Sequence, residues 1–303
     1  MPLYRECPSC RALLTEEQLN STRGLCPYCD SRVGESDEFA SPDAAPDFRR
    51  RRSLAPISVP EPIGGKLGTA LFLLFEQFAI IAGLMLIIKL PSNIAIEVIA
   101  DRNPNPVDPF EVLRLRFLVD LFFGPIYMAG VVTLLANRMA GLPTTFSEAA
   151  RAGLHNWARL FAAQIVARIF IVCGLILFIV PGVVLAVRYC LIDEAVVLEG
   201  AGAADSRARS SALTAGKELK ILAAGAASIF LAVSFGVLVV DLAEQAGLLE
   251  HPAARAAVFS LADVFTIFNS IVLFLYYWEA RAERESEAEV AQPAAKEAQN
   301  YEL

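Results

Sequence analysis

Residues Ile221–Val240 read ILAAGAASIFLAVSFGVLVV, twenty positions without a charge. A helix rises about 1.5 Å per residue, so this stretch matches the roughly 30 Å hydrocarbon core of a bilayer. Three further runs have the same character. They are Leu67–Ile88, interrupted by Glu76 and Gln77; Phe117–Ala136, with Asp120 near its start; and Ala256–Trp278, with Asp263 inside. Tyr276-Tyr277-Trp278 closes the last run and is expected to anchor it at the interface. The 303 residues are 55% hydrophobic and only 19% charged, with mean hydropathy +0.50. Soluble domains carry about 25% charge, so the composition itself points to a membrane. The fold class expected is an all-α polytopic membrane protein of about six transmembrane helices plus interfacial helices, with a small amino-terminal zinc ribbon.

The sixth span depends on Leu160–Leu198, which is too long for one crossing and is broken by Pro181-Gly182. Basic residues are enriched on the cytoplasmic side of membrane helices. Arg49–Arg52 precede the first run, Arg138, Arg151 and Arg159 precede Leu160, and Arg207, Arg209, Lys217 and Lys220 follow Leu198. Both flanks of 160–198 then face the cytoplasm, so the segment crosses twice or re-enters. The expectation is six spans in the cell inner membrane with both termini cytoplasmic. Against it stand Lys89, Arg102, Arg114 and Arg116, which fall at the first outer loop. Ser147–Phe161 and Asp205–Leu219 carry polar residues on one side and are expected as surface helices. A loop helix packed on the bundle is the alternative.

The domains expected are a zinc ribbon at 1–33, a disordered Pro/Arg-rich linker at 34–63, the membrane domain at 64–280 and a polar tail at 281–303, helical briefly and then frayed. No basic-then-apolar secretory leader opens the chain. In the ribbon, Cys7-Pro8-Ser9-Cys10 and Cys26-Pro27-Tyr28-Cys29 are separated by fifteen residues. Two such knuckles supply four thiolates to one tetrahedral zinc and leave no open coordination position, which makes the site structural. A unit of this size cannot fold on a hydrophobic core, so the metal supplies its folding free energy. A redox dithiol pair and a metal-free ribbon are the alternatives. Cys173 and Cys190 lie in apolar runs and are expected as packing residues.

Charges inside hydrocarbon need a partner or water. Counting residues from the inner span ends puts Glu76 and Arg168 at similar depth, about 12–13 Å in. Arg188 and Asp263 likewise match, at about 10 Å from the outer face. Two ion pairs are therefore expected, Glu76–Arg168 and Arg188–Asp263. Ala224, Ser228, Ala232 and Gly236 form a small-residue stripe for close helix approach, and Gly64 and Gly68 a GxxxG element.

Phe178-Ile179-Val180-Pro181-Gly182, continuing to Arg188-Tyr189, is followed by Ser210-Ser211-Ala212-Leu213-Thr214-Ala215-Gly216-Lys217. This order resembles the six-span YciC-like proteins and the membrane domain attached to some glycerophosphoryl diester phosphodiesterases, across about residues 64–280. The ribbon is similar to those fused to bacterial membrane proteins. The resemblance implies topology rather than activity.

The net charge of −7 argues against nucleic acid. With two His, and no GxxxxGK[ST], HExxH or GxSxG element, no enzymatic machinery is visible. The first expectation is a non-enzymatic membrane scaffold in envelope or lipid homeostasis, whose ribbon contacts a cytosolic protein. The alternative is a transporter or lipid-handling protein that uses Glu76, Arg168 and Arg188. A polar cavity lined by those charges separates the second from the first.

Overall fold

The computed structural model describes residues 4–6, 13–15, 59, 62–102 and 108–301. Cys7, Cys10, Cys26 and Cys29 lie outside them, as does most of the linker. Two short strands, β1 (Tyr4–Glu6) and β2 (Leu13–Thr15), pair antiparallel with Arg5 opposite Leu14. The rest is helical: α1 (Ile63–Glu76), α2 (Phe78–Arg102), α3 (Pro109–Met139), α4 (Phe146–Leu177), α5 (Ile179–Arg188), α6 (Ile192–Glu199), α7 (Ala203–Thr214), α8 (Glu218–Gln245), α9 (Pro252–Val264) and α10 (Ile267–Tyr301).

Among the described residues five helices are long and apolar enough to cross a membrane. They are Phe78–Ala100, Phe110–Met139, Phe146–Leu177, Glu218–Gln245 and Pro252–Arg284. Three contain expected spans. The first does not match, because Leu67–Ile88 straddles a break at Gln77 (φ −104°, ψ 13°), and the long uninterrupted helix starts after it. The expected surface helix at 147–161 is no separate element either. A capping box between Thr145 and Glu148 starts α4, and no breaker follows before Phe178, so the polar-sided turns and the span form one rod. The tail helix runs to Tyr301 instead of fraying early, as its Ala- and Glu-rich composition favours.

Two composite helices organise the bundle. The α1–α2 pair runs antiparallel to α9–α10, joined by Lys66–Glu279 (3.0 Å), Lys89–Asp263 (3.3 Å), Asn93–Ser260 (3.0 Å) and Glu97–Arg255 (2.6 Å). Their breaks face one another, and the Phe78 and Phe265 rings beside them lie 6.1 Å apart. Helix α3 also packs against α1–α2, stapled by Glu97–Arg116 (3.1 Å), Lys89–Asp120 (2.6 Å) and Glu76–Arg138 (2.9 Å). Apolar residues of α1–α4, α8 and α10 fill the space between, with Leu73, Ile81, Leu135, Leu160, Ile271 and Phe274 fully buried. The outer faces of α4 and α8 are apolar and exposed, as a lipid-facing surface requires.

The break before Pro181 forms as the sequence predicts. Phe178 is extended (φ −157°, ψ 143°) and caps α5, which puts Pro181 in a first turn that needs no amide donor. The chain then folds back along α4. Gly174 lies against Gly182, and the Gln164 amide donates to Asp193 at 2.9 Å. The returning stretch is broken again between α5 and α6. There the Ser210 hydroxyl donates to the Arg188 carbonyl (2.7 Å) and accepts from the Leu191 amide (3.1 Å). The serine that opens the Ser210–Gly216 element thus satisfies backbone groups that the break exposes. Gly216 (φ 78°) closes the element in a left-handed turn that few side chains tolerate.

The stripe on α8 faces the bundle. Ala224 and Ser228 are fully buried, and the Ser228 hydroxyl lies 2.8 Å from Asn269 Oδ1. A Cβ added at Gly64 or Gly68 would touch nothing, so that pair packs against no described residue. Cys190 packs against the core as expected, whereas Cys173 is exposed. Tyr276 and Tyr277 are buried inside the bundle, where Tyr277 donates to Glu199 (2.9 Å) and Tyr276 lies under Lys66 Nζ (4.8 Å).

Candidate functional site

Both expected ion pairs are replaced. Arg138 holds Glu76 through two parallel bonds, Nε to Oε2 (2.9 Å) and Nη2 to Oε1 (3.0 Å). Asp263 is taken by Lys89, and Arg188, 47% exposed, stands 3.9 Å from Glu218. Counting depth from span ends failed for a physical reason. Helix α3 extends three residues beyond the apolar run and brings Arg138 to Glu76, while α1–α2 and α9–α10 are each interrupted where the count took one continuous helix.

Arg168 has a different setting. One face of α3 presents Asp120, Gly124, Tyr127 and Met128, spaced by about a helical turn. One face of α4 presents Gln164 and Arg168, four residues apart. Asp193 comes from α6, and Thr266, Ile267 and Ser270 come from the α9–α10 break. Together they line a cavity of ≈ 240 Å³. By water's share of liquid volume this is room for on the order of eight heavy atoms. Thr266 is exposed and Asp120 is 38% exposed, so the cavity is open on their side.

The charges around it are unequally committed. Lys89 Nζ lies 2.6 Å from Asp120 and 3.3 Å from Asp263, and the Tyr127 hydroxyl donates to Asp120 at 3.2 Å. Those two carboxylates share one ammonium. Asp193 accepts from Gln164. Nη1 of Arg168 is buried and has no hydrogen-bond partner among the described residues, with the guanidinium 6.0 Å from the Phe117 ring centre. A buried guanidinium nitrogen without an acceptor is costly, and binding an anionic group would relieve it. The second cavity, ≈ 100 Å³ beside Arg138 and Thr144, is smaller.

Of the four intramembrane residues singled out in the sequence, only Arg168 lines the cavity. Lys89, Asp120, Gln164 and Asp193 were missed as a group. Their signal was present: Gln164 and Arg168 recur at four residues on an apolar helix, and Asp193 interrupts an apolar run. What joins them is helix crossing, which spacing within one helix does not encode. No family model, no curated protein and no solved structure matches the chain. The YciC-like resemblance therefore rests on the quoted residues alone.

Proposed function

We propose that the chain is a non-enzymatic, six-crossing protein of the inner membrane that admits a small polar solute or a lipid headgroup into the Arg168 cavity. The observation that carries this reading is the buried, unpartnered Nη1 of Arg168 in a polar cavity within an apolar bundle. It favours the solute or lipid-handling alternative over the scaffold, with Arg168 retained as the working charge and Glu76 and Arg188 released from that role.

Six crossings are supported by the register of the α4 return. Contacts pair Gly174 with Gly182, Gln164 with Asp193, and Arg159 with Gly200. From Phe178 to Gly200 the path is about 33 Å at helical rise, enough for a bilayer core in two short helices. The charges that argued against this topology are partly accounted for: Lys89 and Arg116 are ion-paired to bundle carboxylates. An even count leaves both ends on one face, the cytoplasmic one by the basic flanks.

The ribbon reading is carried forward with it. Cys7 and Cys10 fall in the six residues between the paired strands β1 and β2, a placement that suits a metal knuckle. In this proposal the ribbon holds one structural zinc and offers a cytosolic protein contact. The purified full chain is expected to carry stoichiometric zinc that Cys26→Ser abolishes; a metal-free chain would refute it. Reporters fused to the two ends are expected on the same, cytoplasmic, face.

Hydration of the cavity is the direct test of function. With Cys173 and Cys190 changed to Ser, a Ser270→Cys chain in native membranes is expected to take up a small water-soluble thiol reagent at residue 270, read by peptide mass spectrometry so that the four amino-terminal cysteines do not contribute. A Leu135→Cys control in the dry core is not. Equal inertness of both would return the protein to the scaffold reading.

A further inference from the structure

We infer that the cavity is built for a small zwitterion, a ligand that carries an ammonium group and an acidic group a few bonds apart. The inference rests on the proposed function and narrows it to a ligand class. Charge disposition is the argument. Asp120 is the lining carboxylate on α3; Lys89, which it shares with Asp263, neutralises it in part from behind the wall, and the Tyr127 hydroxyl occupies it further. The remaining charged lining residues are then Arg168 on α4 and Asp193 on α6.

These two line the same cavity from neighbouring helices, yet among the described residues no ion pair joins them. Gln164, one turn from Arg168 on the same face of α4, holds the Asp193 carboxylate from the side. A simple anion at Arg168 would stand close to Asp193 and Asp120, and like charges at that range repel. A simple cation at Asp193 would face Arg168. A ligand with both signs meets acceptors for its ammonium and donors for its acid at once, and leaves neither buried charge unmatched. The volume suits a molecule the size of phosphoethanolamine, with its two charged groups on a two-carbon link.

Two sources share that chemistry, a free solute and the headgroup of phosphatidylethanolamine, and the experiment separates them. The full chain is reconstituted in phosphatidylglycerol nanodiscs and titrated calorimetrically with phosphoethanolamine, inorganic phosphate and ethanolamine. In a second arm, mixed discs of phosphatidylethanolamine and phosphatidylglycerol are exchanged into detergent, and retained lipid is measured by native mass spectrometry. Saturable binding of phosphoethanolamine, at least about tenfold tighter than either half-molecule, supports the inference with a soluble ligand. Selective retention of phosphatidylethanolamine supports it with a lipid. Arg168→Gln and Asp193→Asn are each expected to weaken the interaction about tenfold or more, and Arg168→Lys less.

Inorganic phosphate binding as tightly as phosphoethanolamine, with sensitivity to Arg168→Gln, would overturn the zwitterion and leave the cavity as an anion site. No binding of any probe and no selective retention would also overturn it; the Ser270→Cys reaction then reports separately whether a hydrated cavity stands. The probe series on the unmodified chain decides even where a variant fails to fold.

Discussion

Lys89→Met is expected to lower the stability of the bundle by about 3 kcal/mol, the low end for one partner of a buried ion pair. Lys89 is only 8% exposed and pairs with both Asp120 on α3 and Asp263 on α9. Methionine matches its length and leaves two carboxylates facing each other in an apolar bundle. Asp120 is more than a third exposed, so water screens its share; the cost falls mainly on Asp263. The double change Lys89→Met with Asp263→Asn is expected to recover part of the loss, because it removes the orphaned charge as well. Unfolding of the detergent-solubilised chain by sodium dodecyl sulfate, followed by circular dichroism, measures both. A single variant as stable as the parent would show that Lys89 is not the clamp of α3 against α9.

Gly153→Ala is expected to destabilise by about 2–3 kcal/mol, as overpacking at a rigid contact does. Its sign makes the test decisive. In an exposed helix Gly to Ala stabilises by about 1 kcal/mol. Here a Cβ at position 153 would overlap the carbonyl oxygen of Ile126, a backbone atom that no rotamer change removes. One turn along the same crossing, a Cβ at Gly130 would stand 2.9 Å from the Ala149 carbonyl. Helices α3 and α4 meet backbone to backbone there, as small residues in membrane bundles permit. Gly130→Ala is expected to be the milder of the two. Thermal melting in detergent reads the order, and a raised midpoint for Gly153→Ala would refute the close crossing. Because α3 and α4 carry Asp120, Gln164 and Arg168, the same change would also widen the cavity.

The charged residues show where sequence reasoning reaches and stops. Glu76, Arg168 and Asp263 stood out, because a charge in an apolar run is conspicuous on its own. Their partners did not. Arg138 lay two residues past an apolar run and looked like a loop charge, and Lys89 lay one residue past another. Hydropathy trims a helix where the apolar residues stop, whereas a helix stops where its backbone is capped. For α3 that is Ala140, four residues beyond the trimmed end.

The Pro181-Gly182 break and the Ser210–Gly216 element were legible as motifs, but their relation was not. Only when α7 packs against the α5–α6 junction does the Ser210 hydroxyl meet the free groups at Arg188 and Leu191. The small-residue stripe at Ala224, Ser228 and Ala232 was legible in the sequence, and it is the face that α8 buries.

The run of uncharged residues at 221–240, and its counterparts along the chain, determined by themselves that this polypeptide forms long helices suited to a bilayer. A backbone in hydrocarbon has few other ways to satisfy its amides. Which charges meet, and that a cavity with a free guanidinium nitrogen opens among them, was decided by the tertiary structure. Sequence spacing sets where side chains stand along one helix axis. The rotation, tilt and breaks that bring two axes together depend on packing between residues far apart in the chain.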